Sequence, residues 1–206
     1  MTFVRGATLT TATTFGHADT SNLGPTAGNG FDQRWPDDLA LLQHLGITDI
    51  RLTFDWARLQ PKPGEFDGAW SDLFEQIVAA ADAIELRVWA TLHDGAEPRW
   101  ITNEGGLPSD DVTERWWPRY VERVADKFGS GIAGWIPFAG VNGADAAIAD
   151  GVTLDLAFID PAISGPDSPI GLLGSDRTLQ PAAATFLQRS TDLVAGQDDA
   201  PSRSGS

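Results

Sequence analysis

Carboxylates, imidazoles and indoles gather in four short windows of this chain. Phe15 to Gly30 holds His17 and Asp19. The run Asp55-Trp56-Ala57-Arg58 sets a carboxylate and a guanidinium around an indole. His93, Asp94, Glu97 and Trp100 share the third window, and Asn142 and Asp145 the fourth, which starts at Ala139. Carboxyl groups supply a proton donor, a base or a nucleophile, and indole faces stack on the C–H faces of sugar rings, so the combination suits carbohydrate. Taken singly, each residue has a plainer use. A Trp after a strand packs, and a loop Asp caps a helix or sits in water. His93 and Asp94 are adjacent, so their side chains diverge on an extended backbone. No His pair or acidic cluster joins them, and we expect no metal site and no cofactor. Neither Gly-x₄-Gly-Lys-[Ser/Thr] nor Gly-x-Ser-x-Gly occurs, which removes the P-loop and the nucleophile elbow.

Such windows do chemistry only if elements bring them together. Phe3 to Thr8 reads as a first strand. Trp35, Leu39, Leu42 and Leu45 fall on one helical face, with Gly46 as terminator. Ile47 to Phe54 reads as a strand, and Gln60-Pro61-Lys62-Pro63-Gly64 as a turn. Leu73, Phe74, Ile77, Val78, Ala81 and Ile84 mark a second helix, and Leu86 to Leu92 a buried strand. Trp117, Val121, Val124 and Phe128 mark a third helix closed by Gly129, and Ile132 to Phe138 a fourth strand. Val152 to Ile159 follows as a further strand, and Gln180 to Leu193 as an Ala-rich helix. Strand and helix alternating at this spacing imply βαβ units and a parallel sheet. In a β/α barrel the four windows would lie at the C-terminal ends of strands, where chemistry is placed.

The 206 residues carry 14 Lys plus Arg against 29 Asp plus Glu, a net charge of −15. Nucleic acid needs a basic footprint, so it is excluded as a partner, and so is docking to anionic membrane. The absence of Cys rules out a disulfide scaffold and a thiolate nucleophile. No apolar run approaches the roughly 20 residues of a membrane span, and no signal peptide stands out, so the expected location is cytoplasmic. All eight Trp, all three His and every Glu and Lys lie at or before Trp135. The composition therefore changes near residue 135, as at a join between differently constrained segments.

The order of motifs resembles glycoside hydrolase family 1, the retaining (β/α)₈ β-glucosidases. Phe3-Val4-Arg5-Gly6-Ala7-Thr8 is similar to the family's opening Phe-Leu-Trp-Gly-Ala-Ala-Thr. Trp35-Pro36-Asp37-Asp38-Leu39 to Ile47 resembles its first helix. Arg51-Leu52-Thr53-Phe54-Asp55-Trp56-Ala57-Arg58-Leu59-Gln60-Pro61 resembles Arg-Phe-Ser-Ile-Ser-Trp-Ser-Arg-Ile-x-Pro, the most specific match. Thr91-Leu92-His93 with Pro98, then Gly105-Gly106 and Trp135-Ile136, follow in family order. Beyond residue 138 the pattern jumps. Ala147 to Val152, Gly165 to Leu172 and Asp176 to Ala183 resemble the approach to strand eight and the barrel's end. We therefore expect an α/β fold, an incomplete or reduced (β/α)₈ TIM-barrel-like domain of about five β/α segments over residues 1–194. Residues 1–138 would correspond to strands one to four, and 139–194 to strand eight and the last helix. Residues 195–206 would be a disordered tail. A complete barrel typically takes about 250 residues.

The resemblance also implies roles. The family's acid/base Glu falls at Gly140 and its nucleophilic Glu at Val141, and neither residue offers a carboxyl group. Retaining glycosidases need two carboxyl groups about 5–5.5 Å apart. O-glycosyl hydrolase activity is therefore expected to be lost or impaired, and the chain a β-glucosidase-related pseudoenzyme of carbohydrate metabolism. The alternative is a non-catalytic carbohydrate-binding or regulatory remnant. Asp55, Asp94 and Glu97 are the candidates for a substitute acid/base pair. Arg51 matches the Arg that supports the family nucleophile, and could turn instead to Asp94, Asp55 or an anion. With Trp56, His93, Asp94 and Asn142 it completes the expected β-glycoside-binding set. A homodimer could cover the open edge of so short a sheet.

Overall fold

The computed structural model describes residues 4–16, 28–139, 156–159, 162–163, 171–180, 183 and 186–188. Five parallel strands form one sheet: β1 (Val4–Leu9), β2 (Asp49–Thr53), β3 (Arg87–Thr91), β4 (Ile132–Ile136) and β5 (Leu156–Ile159). Their order across the sheet is β4-β3-β2-β1-β5. The last strand in sequence thus pairs with the first, Val4 against Leu156 and Ala7 against Ile159. That is the neighbour relation of the eighth and first strands in a closed barrel, as the jump in motif order implies. Among the described residues β4 and β5 are each paired on one side only. The expected strand over 152–159 is described from Leu156 onward, and the strand expected over Phe3 to Thr8 runs one residue later.

Two long helices behind the sheet form where the apolar spacing predicts them. α2 (Phe31–His44) buries Phe31, Leu39 and Leu42. It starts four residues before Trp35, with Gly30 as its N-cap and the Asn29 side chain accepting from the Phe31 N–H. It ends at Gly46, whose φ of +78° suits glycine. A Cβ there would also lie 2.7 Å from the Arg5 guanidinium, which donates to the Gly46 carbonyl. α4 (Gly68–Ala83) is capped by Asp67, which accepts from the Trp70 N–H at 2.9 Å. Each fully buried Leu, Ile or Phe on these faces contributes about 1.5–3 kcal/mol. α6 (Trp117–Phe128) buries Tyr120, Val124 and Phe128 and stops at Gly129, as expected. Three one-turn helices went unread: α1 (Thr11–Thr14), α3 (Trp56–Leu59) and α5 (Arg99–Asn103). They are too short for a periodic signal. Among the described residues no helix is long and apolar enough to cross a membrane.

The two faces of the sheet differ. Ile50, Leu52 and Phe54 face the helices, Phe54 stacking on Phe74 at 4.9 Å and touching Phe128 at 4.8 Å. By alternation Asp49, Arg51 and Thr53 face the other way, toward what would be the barrel interior. Register aligns Thr8, Arg51, Trp89 and Gly134 in one row of that inner face. Trp89 lies across it, donating to Asp49 at 2.8 Å. Its ring occupies the space above Gly134, where a Cβ would be 2.5 Å away. The run Gly129-Ser130-Gly131-Ile132-Ala133-Gly134 has Gly-x-Gly-x-x-Gly spacing. It leads from a helix into β4, so it lacks the strand-turn-helix setting of a phosphate cradle.

The C-terminal segment docks on the first β/α unit. Ala162 donates to the Thr8 carbonyl and Leu173 to Ala162, and Ile163, Leu172 and Leu173 are buried. Arg177, in left-handed backbone at φ +68°, locks it there. Its guanidinium grips Asp38 of α2 at 2.9 and 2.6 Å and also reaches the Asn29 and Ser175 carbonyls.

Candidate active site

The strand ends bring Asp55, His93, Asp94 and Glu97 to one end of the sheet. Asp55 follows β2 and caps α3, one oxygen accepting from the Ala57 N–H at 2.9 Å and the Arg58 N–H at 3.4 Å. The other oxygen receives the Arg58 guanidinium. Arg58 also donates to the Phe15 and Gly16 carbonyls, at 3.0 and 2.9 Å, and lies 5.0 Å over the Trp70 ring. The pair therefore stitches the end of β2 to the turn after α1. Burial pushes the Asp55 carboxyl above its ordinary range. Arg58 pulls it back, and the charge of Asp94 adds to the rise.

Asp94 follows β3. One of its oxygens accepts from the Thr11 N–H at 2.9 Å, and the other accepts no hydrogen bond among the described residues. His93 Nδ1 accepts from the Gly95 N–H at 3.3 Å, which places the neutral ring's proton on Nε2. Nε2 faces Glu97 Oε1 at 3.5 Å, the outer limit of a hydrogen bond. The same carboxylate accepts from the Leu107 N–H at 3.1 Å. Gly106 makes room for it, since a Cβ there would stand 2.8 Å from Glu97 Oε2. Burial raises the Glu97 pKa, but His93 and the Leu107 N–H outweigh it, and the net shift is downward.

Beneath them Tyr120 is fully buried and donates to the Phe54 carbonyl at 2.7 Å. Burial first, then the charges of Asp55 and Asp94, push its hydroxyl far above the usual phenol range, so it stays a neutral donor. His93 is walled by Trp117 and Phe138, whose rings stack 4.9 Å apart. Trp56 is 1% exposed; its N–H is held by Gln60, and its ring packs against Tyr120 and Trp117. It serves here as packing and has no face for a sugar. Trp100 donates to the Gln60 carbonyl and packs edge-on against Trp116. Arg51 sits on the inner face, 7% exposed. The hydroxyls of Thr8, Thr11 and Thr91 are buried with no hydrogen-bond partner. Thr8 and Thr91 belong to the same inner face.

The structure thus gathers Asp55, Asp94, His93 and Glu97, but leaves only Asp94 and Glu97 with an oxygen to spare. Among the described residues no three His, Cys, Asp or Glu side chains could hold a metal ion. His17, Asp19, Gly140, Val141, Asn142 and Asp145 lie outside the described residues. Sequence reasoning did not name Tyr120, because it is not among the apolar positions that marked α6. It named Arg58 without its partner. The signal was available, as Asp followed three residues later by Arg at a helix start is a cap and an ion pair in one.

Comparison with known proteins gives a consistent result. The profile of glycosyl hydrolase family 1 matches residues 7–147. The cytosolic beta-glucosidase of Cavia porcellus is 26% identical over 132 residues, covering 63% of this chain and 27% of that protein. The beta-glucosidase of an Agrobacterium species is 26% identical over 97 residues, 47% of this chain and 21% of its own length. The chain therefore spans about a quarter of the length of these relatives. Among solved structures, beta-glycosidase BGL167 superposes with a TM-score of 0.62 at 25% identity, over 66% of this chain and 36% of that one. The beta-glycosidase from Pyrococcus horikoshii gives 0.60 at 20% identity, over 66% and 34%.

Proposed function

Since the chain belongs to glycosyl hydrolase family 1, we propose that it is a β-glucosidase-related protein of carbohydrate metabolism that keeps part of the family's scaffold without its two-carboxylate hydrolysis. The observation that carries this reading is the state of Asp55. It is one of the three candidates for a substitute acid/base pair, yet both its oxygens are occupied, by the α3 N-terminus and by Arg58. Gly140 and Val141, at the positions where the resemblance expects the family's acid/base and nucleophile, offer no carboxyl group. Loss of a general acid/base alone typically costs about 10²–10⁴-fold in rate. The test is turnover of an aryl β-glucoside by the pure 206-residue protein. We expect none above background, and robust release of the phenol overturns the reading.

A second reading, a non-catalytic sugar binder, is favoured by the polar inner face. Buried hydroxyls without partners, as at Thr8 and Thr91, are groups that a sugar hydroxyl or a water would satisfy. A rise in melting temperature with glucose or cellobiose, without product, would support it, and no shift would count against it. The cytosolic relative supports a cytoplasmic setting. The one-sided pairing of β4 and β5, with Trp135 37% exposed on β4, supports self-association as a homodimer.

A further inference from the structure

We propose that the groove between α6 and residues 60–66 binds a small ligand carrying a carboxylate or phosphate oxyanion. Its lining residues do not include Asp55, His93, Asp94 or Glu97. The groove holds about 380 Å³ and is lined by Gln60, Gly64, Phe66, Trp116, Arg119 and Arg123. That is the size of a small-molecule pocket rather than a flat docking face.

Its charge runs against that of the chain. Acidic residues outnumber basic ones 29 to 14, and three other arginines find carboxylates: Arg58 meets Asp55, Arg87 meets Asp49, and Arg177 meets Asp38. Arg115, Arg119 and Arg123 stand four residues apart, in a row running along one side of the helical segment. Among the described residues none of the three has an ion-pair or hydrogen-bond partner. What holds them is aromatic. The Arg115 and Arg119 guanidinium carbons lie 4.6 and 5.6 Å from the Trp116 ring centre, and that of Arg123 lies 5.5 Å from Phe66. A guanidinium stacked on a ring keeps its N–H edge free and pre-oriented for a planar oxyanion. Trp116 is itself tethered, donating to Glu104 at 2.9 Å.

A buried donor completes the set. Gln60 is 4% exposed. Its Oε1 accepts from Trp56 and its carbonyl from Trp100. That fixes the amide orientation, and among the described residues Nε2 donates to no acceptor; Gln60 lines the same groove as Arg119 and Arg123. Two guanidinium groups and an amide line one groove and offer it N–H donors, which favours an anion.

The experiment is isothermal titration calorimetry in phosphate-free, low-salt buffer with three probes: glucuronate, inorganic phosphate and glucose. Glucuronate or phosphate should bind the natural protein, with affinity falling as salt rises. Arg119→Gln/Arg123→Gln should weaken that binding at least tenfold while the unliganded melting temperature stays unchanged. If the double variant melts early, the two single variants carry the comparison. Which anion binds more tightly identifies the source of the oxyanion. The proposal is overturned if neither anion binds, if the variants bind as tightly as the natural protein, or if only a polyglutamate peptide binds.

Discussion

Arg177→Ala should cost more stability than any other single truncation outside the apolar core. The guanidinium makes two hydrogen bonds to Asp38 and one each to the Asn29 and Ser175 carbonyls. The Arg177 and Asp38 side chains are 6% and 1% exposed. Removing Arg177 strands a carboxylate inside α2 with no water to receive it. Breaking a buried pair from one side costs about 3–5 kcal/mol. That is a large share of the roughly 5–15 kcal/mol that hold a typical domain together. At about 2–4 °C per kcal/mol for a chain of this size, the melting temperature should fall by about 6–20 °C. Arg177 already sits at positive φ, and Ala is no easier there, so backbone strain does not offset the loss. Urea unfolding followed by tryptophan fluorescence gives the number, provided the m-value is unchanged. Asp38→Ala/Arg177→Ala should lose less than the two single changes added together, because no charge is left stranded. A loss under about 1 kcal/mol for Arg177→Ala would mean that residues 171–180 are not docked on α2 in solution, and the reasoning would fail.

Four further outcomes can be checked. If weak glycoside hydrolysis is detected, Asp94→Asn should abolish it, since Asp94 keeps an unbonded oxygen at the strand ends; unchanged activity would exclude Asp94. Glu97 has a pKa below its unfolded value of 4.5, so its stabilisation is complete above that pH and is lost as pH falls through the lower folded value. Glu97→Gln should therefore flatten the acid limb of melting temperature between about pH 2 and 5, and an unaltered slope would contradict the assignment. Gly134→Ala should cost about 1–3 kcal/mol through its clash with Trp89, read by the same urea titration, and a neutral result would mean that the ring sits elsewhere. Light scattering after size exclusion should show a species heavier than the 22.0 kDa monomer, whereas a clean monomer at high concentration would remove the homodimer.

The elements were legible where one physical signal dominated. α6 was read from Trp117 to Phe128 because its apolar spacing is regular and Gly129 follows it. β3 was read because Leu86 to Leu92 is a mostly apolar run, as suits a strand covered on both faces. Side-chain roles were less legible, because they depend on which way a residue points and on partners far along the chain. Trp56 belongs to the expected sugar-binding set by resemblance, but Tyr120, 64 residues further on, packs against its ring. Asp38 carried no sign of burial in the sequence, because its partner Arg177 is 139 residues away. Asp49 showed no signal at all, yet it is fully buried and takes hydrogen bonds from Thr48, Arg87 and Trp89.

The pairing of Val4 with Leu156 carries a cost in time. β1 to β4 can assemble through crossovers of a few dozen residues each, whereas the β1–β5 pair closes a loop of roughly 150 residues. The entropy of closure grows only with the logarithm of loop length, so the finished fold bears it easily. The folding rate is more sensitive, because contacts between distant residues must wait. On the ribosome, β1 leaves the tunnel long before its second neighbour is made. Until residue 156 follows, one side of the first strand presents open N–H and C=O groups. During that interval a β5 segment from another nascent chain could pair with it as well as its own, which makes strand exchange the characteristic error of this topology.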